Sequence, residues 1–150
     1  MRLGPLLALL LTLTACGGSD SPPGDVIYYR DQGPWLDRII EQTYPLLPVE
    51  LKFEKSDTKE DLRISIAPDG YFRGCAHVCS RRGWVTLNLD TPEDFEEKAI
   101  YSILHEVGHM LGAEHREETD AIMNHGVLYY RHLQPHWKEQ SINEINKCND

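Results

Sequence analysis

Apolar positions recur along the chain at two spacings, and the switches between them mark the elements. Val26-Ile27-Tyr28-Tyr29-Arg30 is a β-branched and aromatic run that predicts a first strand, broken by Gly33-Pro34. Trp35, Leu36, Ile39 and Ile40 then fall at helical spacing up to Tyr44, and Pro45 and Pro48 close that helix. Val49-Glu50-Leu51-Lys52-Phe53 and Leu62-Arg63-Ile64-Ser65-Ile66 alternate apolar with polar residues, as half-buried strands do. Pro68-Asp69-Gly70 predicts a turn, followed by an irregular stretch with glycine and cysteine up to Gly83. Trp84-Val85-Thr86-Leu87-Asn88-Leu89 is another strand. Thr91-Pro92-Glu93-Asp94 offers a cap, a first-turn proline and acids at a helix start. Phe95, Ala99, Ile100, Ile103, Leu104, Val107 and Leu111 give that helix its buried face. Trp137, Ile142 and Ile145 predict a closing helix from Pro135 to Lys147.

The pattern before Val26 is of another kind. Residues 1–15 carry Arg2, an apolar run from Leu3 to Leu13 and then small residues, which is the layout of a secretory leader too short to span a membrane. Leu13-Thr14-Ala15-Cys16 resembles the lipobox of bacterial lipoproteins, which implies a lipid on Cys16 as the mature N-terminus. Residues 16–24 form a Gly-, Ser- and Pro-rich tether with nothing to bury, and residues 25–150 are expected to be one domain. Gly17 in place of aspartate implies an outer-membrane destination in a Gram-negative cell.

Within the long helix stands His105-Glu106-Val107-Gly108-His109-Met110-Leu111-Gly112-Ala113-Glu114-His115. His105 and His109 are four apart, so their imidazoles share one helix face and can reach one zinc ion at about 2.0–2.1 Å each. Gly112 can end the helix in a left-handed conformation, which lets the chain turn and bring back His115 as third ligand. Three protein ligands with a fourth position open define a catalytic rather than a structural zinc site. Glu106, offset by one residue, stands beside the metal as a candidate general base.

HExxHxxGxxH is the zinc signature of the metzincin metallopeptidases, and every specified position is filled here. Asp120-Ala121-Ile122-Met123-Asn124 resembles the family's methionine turn, with Met123 eight residues after His115 as in the matrixin branch. The resemblance implies an α+β fold in which a twisted, mostly parallel five-stranded sheet with an antiparallel edge strand packs on two long helices, plus a C-terminal helix. It also implies that Gly74-Cys75-Ala76-His77 forms the edge strand that binds an extended peptide, and that Gly126-Val127-Leu128-Tyr129-Tyr130 walls an apolar specificity pocket. His125 occupies the offset where some relatives place a tyrosine, so an oxyanion contact is one role for it and an exposed turn position the other. His77 resembles a ligand of the matrixin structural zinc, but its companion ligands have no match, so one catalytic zinc and neither a second zinc nor calcium is expected.

Cysteines and charge complete the picture. Excluding Cys16, three cysteines remain in an oxidising compartment. Cys75 and Cys79 would be about 13 Å apart in a straight strand, so a bridge between them requires a turn over Ala76-His77-Val78. That bridge, with Cys148 free, is the favoured pairing; Cys148 joined to one of the two is its rival. Without Arg2, 14 basic residues face 24 acidic ones, a net charge of −10 that argues against nucleic acid or an anionic membrane surface as partner. The reading is thus a monomeric zinc endopeptidase acting on extended peptides, its only membrane contact the N-terminal lipid. The alternatives are a silent zinc-containing binding module and a zinc-buffering lipoprotein. Intact Glu106 argues against the first, since a binding module needs no general base.

Overall fold

Gly33 and Pro34, which separate the first strand from the helix as expected, also launch that helix. The Asp31 carboxylate accepts the Gly33 N–H at 2.9 Å, Gly33 takes φ 96, and Pro34 fills the first helical position, where its missing N–H costs nothing. The structure, a computed structural model, describes residues 24–47, 51–67, 73–88 and 95–115, with Met123 and Cys148. The expected leader, Cys16, the 68–70 turn, the 91–94 cap, His125, the pocket wall at 126–130 and the closing helix lie outside the described residues.

The elements run β1 (Val26–Tyr29), α1 (Pro34–Thr43), a 3-10 turn (Tyr44–Leu46), β2 (Lys52–Lys55), β3 (Leu62–Ala67), β4 (Arg73–Ala76), β5 (Gly83–Asn88) and α2 (Phe95–Met110). Helix α1 buries Leu36, Ile39, Ile40 and Thr43, one face at helical spacing, and the Thr43 hydroxyl donates back to the Ile39 carbonyl at 2.8 Å. Strands β3 and β5 bury Leu62, Ile64, Val85 and Leu87. Helix α2 packs on β4 and β5 and against α1, and its Ile103 and Leu104 are fully buried. Each such side chain contributes about 2 kcal/mol through burial.

The fold is a mixed α+β arrangement, but the single five-stranded sheet expected from the sequence is not what forms. Among the described residues five strands lie in two sheets, β1 parallel to β2, and β3-β5-β4 with β3 parallel and β4 antiparallel to β5. Side chains interrupt the ladder where β1 meets β3. Asp61 Oδ2 accepts the Tyr28 N–H at 3.0 Å, and the Gln32 amide donates to the Ile64 carbonyl. A backbone bond from Asp61 N–H to the Tyr28 carbonyl at 2.8 Å ties the two sheets together. At the other side of β2, the Tyr44 hydroxyl accepts the Phe53 N–H at 2.7 Å and donates to the Phe53 carbonyl at 3.1 Å, which blunts that edge. The expected antiparallel edge strand is β4, at the margin of the second sheet.

The favoured Cys75–Cys79 bridge does not form. Cys79 is bonded to Cys148, with Cα atoms 5.4 Å apart. Cys75 sits in β4, held extended opposite Trp84, while Cys79 lies beyond it in a turn at φ 58 with its N–H on the His109 carbonyl at 2.9 Å. The turn therefore faces the end of α2, where Cys148 also lies, its Sγ 3.4 Å from the Leu111 carbonyl. Among the described residues no helix is long and apolar enough to cross a membrane.

Candidate metal centre

Helix α2 stacks His105 over His109 with ring centroids 4.9 Å apart, as the four-residue spacing requires. The helix then stops within one residue. Gly112 adopts φ 110, its N–H donates to the His109 carbonyl, and Ala113 N–H reaches back to the Gly108 carbonyl, both at 2.9 Å. This is a Schellman cap, and glycine is the residue that enters its left-handed position without strain. The reversal carries His115 back to the helix. His115 Nε2 lies 3.0 Å from His109 Nε2 and 3.2 Å from His105 Nε2.

The donor set fits a metal ion. His109 Nδ1 is 2.8 Å from the Ala113 carbonyl, which can only accept, so Nδ1 holds the proton and Nε2 of the neutral ring presents a lone pair inward. His115 Nε2 cannot satisfy two imidazole neighbours along its single in-plane direction, whereas one cation between the rings meets all three lone pairs. Ligands at 2.0–2.1 Å on a tetrahedral zinc are about 3.3–3.4 Å apart, close to the separations observed. Among the described residues this is the one cluster of three such ligands, and zinc is the ion its nitrogen set suits. His77 lies outside it, exposed just beyond β4. Met123 is 2 % exposed and belongs to the core.

Glu106 is 6 % exposed although charged groups are seldom buried. Burial pushes its carboxyl up to about 8, and a hydrogen bond from the Ala76 N–H opposes that rise. Its Oε2 is buried with no hydrogen-bond partner. Tyr101, one turn before His105, packs its ring 5.9 Å from that imidazole, and burial first, then the Glu106 charge, push its phenol up to about 12. The sequence reading passed over Tyr101, although its i,i+4 offset from His105 was visible. It placed Gly74 and Ala76 on the edge strand but missed that they face Glu106. A cleft of about 420 Å³ next to Cys75 and Trp84 does not include the metal ligands.

No family model and no curated protein matches the chain. Solved structures do. Archaemetzincin from Methanopyrus kandleri superposes with a TM-score of 0.56 at 16 % identity, over 83 % of this chain and 98 % of that one. Archaemetzincin from Archaeoglobus fulgidus gives 0.48 at 13 % identity, over 83 % and 96 %. The fold is therefore similar to that of archaemetzincin, and it carries a three-imidazole centre able to hold zinc.

Proposed function

We propose that the chain is a zinc-dependent endopeptidase of the metzincin kind. The observation that carries this is the convergence of three imidazole nitrogens next to a buried carboxylate that immediately follows the first ligand in the helix. His105, His109 and His115 would hold the ion. When bound, zinc supplies Lewis acidity, polarising a carbonyl, lowering the pKa of water to about 7 and favouring ionised Glu106 by its charge. Ionised Glu106 accepts a proton from the attacking water and delivers it to the leaving nitrogen. Strand β4, an edge strand among the described residues, offers backbone groups to an extended peptide. Its low-dielectric floor, with α2 packed beneath, keeps bulk water from screening those charges. The matrixin-like assignment rests on the spacing from His115 to Met123 and on the likeness of the stretch around His77 to a matrixin segment.

Cleavage of a mixed peptide library by the full chain, compared with Glu106→Gln at matched zinc content, tests the reading. Turnover lost by a factor of about 100 or more in the variant, with one zinc per chain retained, is expected. A folded, zinc-loaded wild type that cuts no peptide overturns the peptidase.

Anchoring through Cys16 has a separate test. Cys16 and Cys75 are the two cysteines of the sequence outside the Cys79–Cys148 pair. Mass spectrometry of the non-reduced protein distinguishes a lipid thioether on Cys16 from a Cys16–Cys75 bridge. Finding the bridge would overturn the anchor.

A further inference from the structure

The edge strand and the carboxylate of Glu106 touch at one place. A Cβ placed on Gly74 would lie 2.7 Å from both Cγ and Cδ of Glu106, and closer still to Oε1. Real Cβ atoms do not approach other heavy atoms so closely. Gly74 has no left-handed backbone that would demand glycine, so the constraint at this position is space, not conformation. Two residues along, on the same side of the alternating strand, Ala76 directs its N–H to the same carboxylate. Glu106 is thus bounded by the absent side chain at Gly74, by a backbone donor at Ala76 and by the buried helix face from which it springs.

We propose that Gly74 is a positioning residue for Glu106: by omitting a side chain it lets β4 close over the carboxylate, and that contact with the Ala76 N–H selects the rotamer Glu106 holds. The claim rests on the peptidase reading for its consequence but not for its geometry. It follows that one strand both receives the peptide and sets the group that activates water against it. Any shift of β4 moves the two together, which keeps the scissile carbonyl and the base in register. The three atoms nearest a methyl group at position 74 all belong to the Glu106 side chain, so the substitution is expected to displace the carboxylate.

A thermodynamic cycle tests this without any turnover. Alanine in place of a strand glycine ordinarily raises stability, because the unfolded chain has less freedom to lose. Gly74→Ala in the full chain should therefore lower the melting temperature when Glu106 is present and raise it in the Glu106→Ala background. Failure of Gly74→Ala to fold in the wild-type background only, with the double variant folded, is the same result in a stronger form. An equal shift in both backgrounds, or failure to fold in both, overturns the proposal, since the methyl group would then be meeting something other than Glu106. Kinetics add a second arm. Zinc-loaded Gly74→Ala should lose kcat by about 100-fold with KM little changed, the mark of a displaced catalytic group. A raised KM with kcat intact would instead assign Gly74 to substrate approach and overturn the positioning role. A wild type that turns over no peptide removes the peptidase, while the stability cycle still decides what Gly74 does.

Discussion

Nδ1 of His109 donates to the carbonyl of Ala113, 2.8 Å away, so the residue just past the helix fixes the tautomer of the ligand one turn before it. That carbonyl is placed by Gly112, whose φ of 110 is costly for any residue with a Cβ. Gly112→Ala is expected to lose about 1–2 kcal/mol of stability and to weaken zinc binding by about 10–100-fold. Competition with a chromophoric chelator measures the second effect. Unchanged zinc affinity would mean that the tautomer is held by something other than the cap.

Zinc should stabilise the fold by mass action. With free zinc at about 100 times its dissociation constant the gain is about 2.7 kcal/mol, or roughly 10 °C in Tm for a domain of this size. His115 is exposed, so His115→Ala should leave the metal-free melting temperature nearly unchanged and abolish the zinc-dependent rise. Differential scanning calorimetry with and without chelator reads both. A variant that keeps the full rise would show that His115 does not hold the ion.

The two described helices were legible in the sequence, though not their lengths, because their signals are local. Four-residue spacing put His105 and His109 on one face, Gly112 marked the stop, and the apolar stripe of α2 named its buried side before any contact was known. The sheet was legible strand by strand but not as a whole. Nothing local says that Asp61 will take a strand N–H with its side chain and leave β1 and β3 in separate ladders. The disulfide was misread for the same reason. Cys75 is near Cys79 in the chain, yet the bonded partner, Cys148, is 69 residues away. A strand glycine can mark a close approach, but nothing in the sequence says that Glu106 approaches Gly74.

Asp61 is expected to matter more than a surface acid. It is 8 % exposed, accepts the Tyr28 N–H on Oδ2 and pairs with Arg81 Nε at 3.1 Å on Oδ1. Arg81 is half-exposed, so water screens the ion pair and most of the effect comes from the backbone donor that would lose its charged acceptor. Asp61→Ala should cost about 2–3 kcal/mol in urea unfolding, against at most about 1 kcal/mol for Asp57→Ala on the exposed loop before it. Equal midpoints for the two variants would show that water replaces the Asp61 carboxylate at no cost.

The Cys79–Cys148 bridge joins the turn after β4 and the far end of the chain to the last turn of α2. Two helix-end carbonyls take part, that of His109 from the Cys79 N–H and that of Leu111 beside the Cys148 sulfur. The bridge thus holds the same stretch that supplies His109 and turns back to His115. Replacing both cysteines by serine opens a loop of 69 residues, and the freedom returned to the unfolded chain should cost about 2–4 kcal/mol. The damage should also reach the metal centre, because the carbonyl that accepts from Cys79 also accepts from Gly112 in the helix cap. The double serine variant is therefore expected to unfold at lower urea and to bind zinc several-fold more weakly. If stability falls while zinc affinity holds, the bridge tethers the C-terminus alone and the cap keeps the imidazoles aligned without it.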